Sequence, residues 1–373
     1  MKQVVEQALG GLLMAIGGLD LFVTVLYARI GSKVGDRFGM GLSRWLARGL
    51  WCGARLAARW KFAPATIVLS ACAPLMLVCA VVLWAALLTF GAALILLPEL
   101  GHGILRSSGA TPDDWITALY VAGSSLSIIS NSDFVPETSA MRLLFVANAF
   151  IGASALTLTI TYVMQIYSAL HTRNALGLKI KGMSGGSSNA AELIARWGPE
   201  GRFETGYSSL SELVGELAEV HEAHHLYPLL FYFRFDTRYP NTSLYLGTLL
   251  EADTLVQCAL DDAQFGWLKR SAAVCQLHRN SDDFLRLLER VFVAERFPAS
   301  TAATSAIADG ARLDQALAIL KAAGIATAPD TQGARLAYSA MLARWAPAAF
   351  RVAEYLAHDP AELLTEPGEP APD

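Results

Sequence analysis

The sequence is poor in charged residues, and those it has are unevenly distributed. Asp, Glu, Lys and Arg make up 17% of the chain, whereas about 25% is typical of soluble domains. None of them occurs between Phe62 and Pro98 or between Leu143 and Leu170. With 54% hydrophobic residues and a formal net charge of −4, the composition excludes disorder and a basic nucleic-acid binder, and it indicates a membrane protein.

Motifs for nucleotide-dependent chemistry are also missing. There is no Gly-x-Gly-x-x-Gly for a dinucleotide and no Walker lysine motif, and both are needed to cradle phosphates. None of the five cysteines lies in the segment predicted to be outside the cell, where disulfides form. The sequence therefore predicts neither an enzyme nor a bound cofactor.

Three apolar segments predict three membrane-spanning helices, since a crossing needs about 20 residues. They are the two charge-free runs and residues 8–27, which only Asp20 interrupts. The segment 29–61 holds eight basic residues and one acid, whereas 99–142 holds five acids and two arginines. The positive-inside rule then predicts a multi-pass protein of the cell (inner) membrane, with the N-terminus outside and the chain after Leu170 in the cytoplasm.

Two polar features near the first span have alternative interpretations. Asp20 is either a carboxylate on an ion path or, as we favour, a helix-packing partner or a neutral acid. The segment after this span is amphipathic and is predicted to lie in the anionic headgroup layer. Its arginines fall on one helical face: Arg44, Arg48, Arg55 and Arg59.

The segment 111–136 between the second and third spans predicts a re-entrant loop. Thr111 and Pro112 resemble a helix start, with Thr111 as the N-cap. Trp115 to Leu126 is then free of charge, but it is too short to cross a bilayer. A polar stretch follows, and such backbone is tolerated at membrane depth only where protein or water surrounds it.

This segment resembles the pore of the two-helix potassium channels. The matching residues are Ala118–Val121, Ser124–Ser127, Asp133–Pro136 and Arg142–Leu144. Gly152 lies 19 residues after Asp133, at the position of the family's gating hinge. The resemblance covers about residues 64–170. It implies a pore helix, a selectivity filter, an inner helix and a homotetramer around one axis.

The filter itself departs from the family. Where the family has Thr-X-Gly-Tyr-Gly, this chain has Ile128, Ile129, Ser130, Asn131 and Ser132. Without the two glycines, successive carbonyls cannot easily turn toward one axis. Side chains between Ser127 and Asp133 are therefore expected to bind monovalent cations such as K⁺ or Na⁺ weakly. The alternative is a non-conducting scaffold or sensor with a channel fold.

The predicted fold is an all-α integral membrane protein with three spans, a re-entrant pore helix and a helical cytoplasmic domain. We expect the cytoplasmic domain to modulate gating. The predicted segments are a first span (1–28), an amphipathic segment (29–63), a pore domain (64–170), a Gly/Ser-rich linker (171–202), a helical domain (203–362) and a disordered tail (363–373). Helical periodicity in the domain recurs at 243–260, 265–278, 282–294, 313–323 and 334–357.

Three histidines form the one cluster with ligand chemistry in the cytoplasmic half. His221, His224 and His225 are close together on one helix. They suit a zinc site or a pH-sensitive cluster. The interpretation we favour is an exposed helix end whose histidines interact with the helix dipole.

Overall fold

The computed structural model of the chain is mostly helical and forms two compact units. One unit consists of residues 1–53 and 74–167, and the other of residues 54–73 and 168–373. The described residues are 1–26, 41–59, 65–127, 133–235, 237, 239–293, 297, 301–308, 310–359 and 362–364.

Three helices are long and apolar enough to cross a membrane, which confirms the predicted spans. They cover Gln3–Leu26, Thr66–Glu99 and Ser139–Met183. The elements from the N-terminus to the end of the third span are α1 (Lys2–Leu26), α2 (Leu42–Arg59), α3 (Ala65–Leu96), β1 (Ile104–Arg106), α4 (Trp115–Leu126), β2 (Phe134–Pro136) and α5 (Ser139–Met183).

Helices α1 and α3 pack antiparallel through glycine. A Cβ on Gly10 would overlap the carbonyl oxygen of Gly91, and a Cβ on Gly17 would lie 2.9 Å from the Cβ of Leu87. Small residues of this kind let membrane helices approach closely. Near the other end of α1, Asp20 is buried and accepts hydrogen bonds from Ser43 Oγ and, at 2.8 Å, from Trp84 Nε1. Asp20 is therefore a helix-packing residue in this structure.

The short helix α4 packs into the core of the first unit. Ala118, Val121 and Ala122 are buried among residues of α3, such as Ala92 and Leu96. Two short strands, which the sequence did not predict, lie beside this core. Strands β1 and β2 pair antiparallel, with Leu105 opposite Val135.

The second unit is built around one buried helix. Its helices after α5 are α6 (Ala190–Trp197), α7 (Glu204–Leu226), α8 (Thr242–Ala259), α9 (Asp262–Lys269), α10 (Ala272–Phe292), α11 (Thr301–Ala308), α12 (Ala311–Ala322) and α13 (Thr331–Tyr355). All residues of α8 except Gln257 are buried. It packs against α6, α10 and α13.

The predicted division of two helices in this unit is wrong. The sequence suggested helices at 265–278 and 282–294, but the chain breaks between Lys269 and Ala272. Ser271 caps α10 by accepting a hydrogen bond from the backbone of Val274. An N-cap serine at this position marks a helix start better than the apolar periodicity does.

The predicted linker and the predicted tail also differ from the structure. Helix α5 continues to Met183, and α6 occupies much of the remaining linker. Gly185 and Gly186 have φ of 68° and 92° and end α5, with Gly186 N–H donating to the Lys181 carbonyl. This is the glycine-dependent C-terminal cap of a helix, and it is ordered. Leu363 and Leu364, predicted to be disordered, are buried.

Candidate pore

Helix α4 starts later than the sequence suggested, because a different residue caps it. Asp114, and not Thr111, is the N-cap, and its carboxylate accepts from Thr117 N–H at 2.8 Å and Thr117 Oγ1 at 3.0 Å. Hydrogen bonds to Thr117 hold the pKa of Asp114 below its usual value. Thr111 instead accepts from the backbone N–H of Arg106 at 2.9 Å. The helix Trp115–Leu126 coincides with the charge-free stretch and ends where the polar stretch was predicted to begin.

The C-terminal end of α4 is fixed to α5 by a buried hydrogen bond. Ser125 Oγ donates to the Ala122 carbonyl at 2.9 Å and accepts from Asn148 Nδ2 at 3.0 Å. Asn148 was missed in the sequence, where its position inside a long charge-free run was the only signal. It is the one asparagine in that run, in which Gln165 is the other amide side chain.

Gly152 lies where α5 touches the end of α4. A Cβ at this position would overlap the carbonyl oxygen of Leu126. The absence of a side chain is therefore required for packing, whether or not the helix bends here. The proposed hinge at Gly152 stays a prediction, and the contact with Leu126 gives this glycine a second role.

The five residues that replace the potassium filter, Ile128 to Ser132, lie outside the described residues. Their two neighbours, Ser127 and Asp133, are described. Ser127 is the C-cap of α4. The backbone carbonyl of Asp133 accepts from Ser107 N–H at 2.8 Å, and its carboxylate accepts from Tyr120 OH at 3.4 Å. The polar loop thus leaves from the end of α4 and returns beside β1.

Acidic side chains are frequent in the segment that contains this return. Asp113, Asp114, Asp133 and Glu137 are all exposed. Glu99 is half-buried and accepts a 3.4 Å hydrogen bond from Gln7. Exposed carboxylates near a pore entrance raise the local concentration of cations.

The first part of α5 presents an apolar face that no other described residue of the chain covers. Phe150 is 72% exposed and Met164 is 66% exposed. The exposed side chains recur at helical spacing and include Leu143, Val146, Phe150, Ile160 and Met164. Thr157 and Thr161 donate to carbonyls of the preceding turn, at 2.9 Å each. Hydroxyls in membrane helices often bond in this way.

The last part of α5 lies in the core of the second unit. Arg173 is 1% exposed, and its Nη1 donates to the carbonyls of Leu230 at 2.8 Å and Phe233 at 3.1 Å. Its guanidinium also lies 5.4 Å from the centre of the Phe235 ring. No carboxylate among the described residues pairs with it. Buried main-chain acceptors therefore hold this cation.

Two further residues fix the same stretch. A Cβ on Gly177 would overlap the carbonyl oxygen of Tyr239. Lys179 Nζ lies 3.0 Å from Glu212 and 2.7 Å from Glu216, both on α7. Leu176 and Ile180 are buried between these contacts. The end of α5 is thus a structural part of the second unit.

One arginine of the amphipathic helix has a different environment from the predicted headgroup layer. The Arg55 guanidinium lies 5.0 Å from the Phe297 ring centre and 5.2 Å from that of Tyr355. Cation–π contacts of this kind favour arginine over lysine. Trp45 and Arg48 are exposed, and the side chain of Arg59 lies outside the described residues.

The histidine cluster is not an exposed helix end, contrary to the interpretation favoured from the sequence. His224 is fully buried, its Nδ1 lies 2.8 Å from the Val220 carbonyl, and its ring contacts Phe284. Burial lowers the pKa of His224 to about 3. Together with His221 and His225, it forms no metal-binding group among the described residues. A buried neutral imidazole is a packing residue here.

Residues Gly182 to Gly186 match the Gly-x-Ser-x-Gly pattern of serine hydrolases, although the structural context is wrong. That motif requires a turn from a strand into a helix, with the serine exposed. Ser184 instead lies at the end of α5, is buried, and donates to the carbonyls of Ile180 and Lys181. It therefore cannot act as a nucleophile here.

Comparison with known proteins agrees with this geometry. Residues 78–169 match the family model described as ion channel, which confirms the predicted resemblance of the pore segment to the pore-loop channels. The chain is also 21% identical over 253 residues to an uncharacterized membrane protein, YdjJ, of Bacillus subtilis (strain 168). That alignment covers 68% of this chain and 70% of the relative. No solved structure matches significantly.

The fold and the family match define a multi-pass membrane protein with an ion-channel pore segment and an additional helical unit. The matched segment contains most of α3, all of α4 and the exposed stretch of α5. It points to ion transport and not to catalysis.

Proposed function

We propose that this chain is the subunit of a homotetrameric pore-loop channel that passes monovalent cations with weak selectivity. Gating takes place at α5 near Gly152, and the helical unit after the pore modulates it. The observation that carries the proposal is the continuity of α5. One helix of 45 residues includes both the last part of the pore-family segment and the stretch held by Arg173.

Continuity matters because a helix transmits displacement and rotation that a flexible linker would absorb. A ligand or partner that shifts the contacts of Arg173 or Gly177 acts on the same helix that contains Gly152. The second unit can then shift the equilibrium between the closed and open states. The size of the shift is set by the difference between the free energies of its contacts in the two states.

The exposed face of α5 supports assembly. A row of large apolar side chains from Leu143 to Met164 is left exposed by the described residues of one chain. One re-entrant helix supplies only part of a ring, and cyclic repetition closes it. Four copies follow the arrangement of the family that the pore segment resembles.

Weak selectivity follows from the residues present between Ser127 and Asp133. Hydroxyl and amide oxygens of Ser130, Asn131 and Ser132 take the place of part of the ion's hydration shell, and they discriminate little between K⁺ and Na⁺. Asp133 lies beside β1, where its exposed carboxylate attracts cations. These roles are part of the proposal.

Currents in purified liposomes test the proposal directly. The full-length protein is reconstituted, its oligomeric state is measured by native mass spectrometry, and reversal potentials are recorded with a K⁺ gradient opposed to a Na⁺ gradient. We expect a tetramer with a reversal potential close to zero. A strongly negative potential set by K⁺ alone contradicts weak selectivity. An intact tetramer without current at any voltage, pH or membrane tension favours the non-conducting scaffold or sensor.

The predicted orientation in the cell (inner) membrane also belongs to the proposal. Gln7 hydrogen-bonds Glu99, so the start of α1 and the end of α3 lie at the same end of the first unit. We propose that this end is outside and the second unit is cytoplasmic. Labelling of cysteines introduced near residue 5 and near residue 215 with an impermeant maleimide on whole cells tests it, with only the former expected to react.

The basic face of α2 is proposed to contact anionic headgroups through Arg44, Arg48 and Arg59. Arg55 is excluded from this set because it lies over two aromatic rings. Binding to vesicles with and without anionic lipid measures the contribution of these three arginines.

A further inference from the structure

Asn148 is a polar side chain whose presence the packing of the first unit does not explain. It is 0% exposed and lies in the charge-free part of α5. Its Nδ2 donates to Ser125 Oγ, whereas its Oδ1 has no hydrogen-bond partner among the described residues. An unpaired buried carbonyl is unfavourable, because no hydrogen bond offsets the cost of removing it from water. Stability alone therefore does not favour asparagine here.

The position of Asn148 suggests a different role. It lies one turn before Gly152, and residues four apart occupy the same helical face. Asn148 bonds to Ser125, and Gly152 contacts the carbonyl of Leu126. These two contacts attach one turn of α5 to the last turn of α4, immediately before Ser127.

Ser125 is well suited to receive this bond. Its Oγ hydrogen is already directed to the Ala122 carbonyl at 2.9 Å, so that the oxygen lone pairs remain for Asn148. The Asn148 amide is consequently fixed in one orientation, with its nitrogen toward α4. The attachment is directional and is broken when the two helices separate or slide.

We propose that Asn148 is a positioning residue that couples bending of α5 at Gly152 to the C-terminal end of α4. The bond between Asn148 and Ser125 stabilises the gating state in which the two helix turns are in contact, and its loss shifts the equilibrium toward the other state. This inference rests on the proposed channel function.

The test uses full-length tetramers in planar bilayers, with open probability as the readout. The variants are Asn148→Leu, Ser125→Ala, both together, and the exchange S125N/N148S. Thr157→Val is the matched control, because among the described residues Thr157 Oγ1 bonds only to Ala153 of its own helix. Thermal unfolding of each tetramer is measured in parallel.

We expect each single variant to change open probability about threefold to tenfold in the same direction, the range of one neutral hydrogen bond. The double variant should change it no more than the larger single variant. The exchange should restore it to within about twofold, and Thr157→Val should leave it unchanged. Asn148→Leu should leave the melting temperature unchanged or raise it, since it removes the unpaired Oδ1.

Three results overturn the inference. The first is a wild-type channel whose single variants have normal open probability. The second is an additive double variant. The third is a lower melting temperature with unchanged gating, which is the signature of a purely structural residue. A wild-type protein without current contradicts the proposed function, and this inference with it. The two kinds of failure are distinguishable, because failure of the channel function is seen in the wild type, whereas failure of the inference alone is seen only in the variants of a conducting channel.

Discussion

The two stretches of α5 have opposite environments, and the more apolar stretch is the one that is exposed in the single chain. Residues 139–167 belong to the first unit and expose large side chains such as Phe150. Residues 168–183 belong to the second unit and bury Leu176 and Ile180. The first stretch therefore depends on lipid or on other copies of the chain, whereas the second has its partners within the same polypeptide.

The difference shows that hydrophobicity does not define the role of a helix segment. The second stretch of α5 is distinguished by a buried cation, Arg173, and by Gly177, a glycine without room for a side chain. Specific contacts of this kind fix one packing position for the helix, whereas an apolar face can pack against many partners. Loss of Arg173 or Gly177 should therefore affect the second unit and leave the first intact.

The largest effect is expected for Arg173→Met. The substitution leaves the buried carbonyls of Leu230 and Phe233 without a donor, at a cost of about 3 kcal/mol or more in the free energy of unfolding. Arg142→Met is the matched control, because exposed Arg142 donates, within the part of the chain that the structure describes, only to the Pro136 carbonyl. Denaturant unfolding, followed by deuterium exchange in α7 and α8, checks this. Equal losses in the free energy of unfolding for both variants would contradict a specific role of the second stretch of α5.

The second prediction concerns pH. Burial, and for His358 also the charges of Arg234 and Arg173, lowers the pKa of His224 and His358 to about 3. Both are neutral when folded, whereas the unfolded chain protonates them below about pH 6.5. Stability of the second unit should therefore fall as pH decreases from 6.5 toward 3, by about 1.4 kcal/mol per pH unit for each histidine.

The double variant His224→Gln, His358→Gln should flatten this slope in unfolding curves of the full chain recorded between pH 7.5 and 5. Asp253 raises the pKa of His278 through a hydrogen bond. The contribution of His278 is present below pH 6.5 and is lost only as pH rises above it. An unchanged slope in the double variant would assign the acid sensitivity to other groups.

A smaller effect is expected when Gly177 gains a methyl group. Gly177→Ala would overlap the Tyr239 carbonyl and should cost about 2 kcal/mol, typical of overpacking. Gly182→Ala, five residues further on, meets no atom within 4 Å and should be neutral or slightly stabilising. Chemical denaturation of the two variants measures the difference in the free energy of unfolding. Similar values would show that the packing around Gly177 tolerates a methyl group.

The smallest effect on stability is expected in the first stretch of α5. Thr157→Val removes a hydroxyl that bonds only to its own helix, so the free energy of unfolding should change by less than about 0.5 kcal/mol. Thermal unfolding of the tetramer gives the value. A change above 1.4 kcal/mol would mean that Thr157 contacts another copy of the chain.

Much of the membrane part was predictable because charge and length limit what a bilayer accepts. Trp115 to Leu126 is bounded by Asp114 and a polar loop, and these limits are the observed ends of α4. The three spans follow from the same reasoning. The filter interpretation, Ser127 to Asp133, rests on resemblance and stays a prediction.

The errors came from residue types that serve two purposes. Glycine and serine between Gly182 and Ser188 are typical of linkers, yet here the positive φ of Gly185 and Gly186 ends a helix. The histidines of α7 resembled an exposed helix end, and only tertiary packing places His224 against Phe284. Asn148 carried no local pattern, because its partner is 23 residues away.

The small ribbon of β1 and β2 has a consequence for how such a pore can change over evolution. Main-chain hydrogen bonds hold it: Ser107 N–H donates to the Asp133 carbonyl, and Glu137 N–H donates to that of Gly103. Bonds of this kind do not depend on which side chains are present. The exposed residues of the ribbon, such as Leu105 and Val135, can therefore be replaced by charged ones, whereas buried Ile104 cannot. The proposed entrance can be adapted to a new ionic environment in this way while its backbone stays the same.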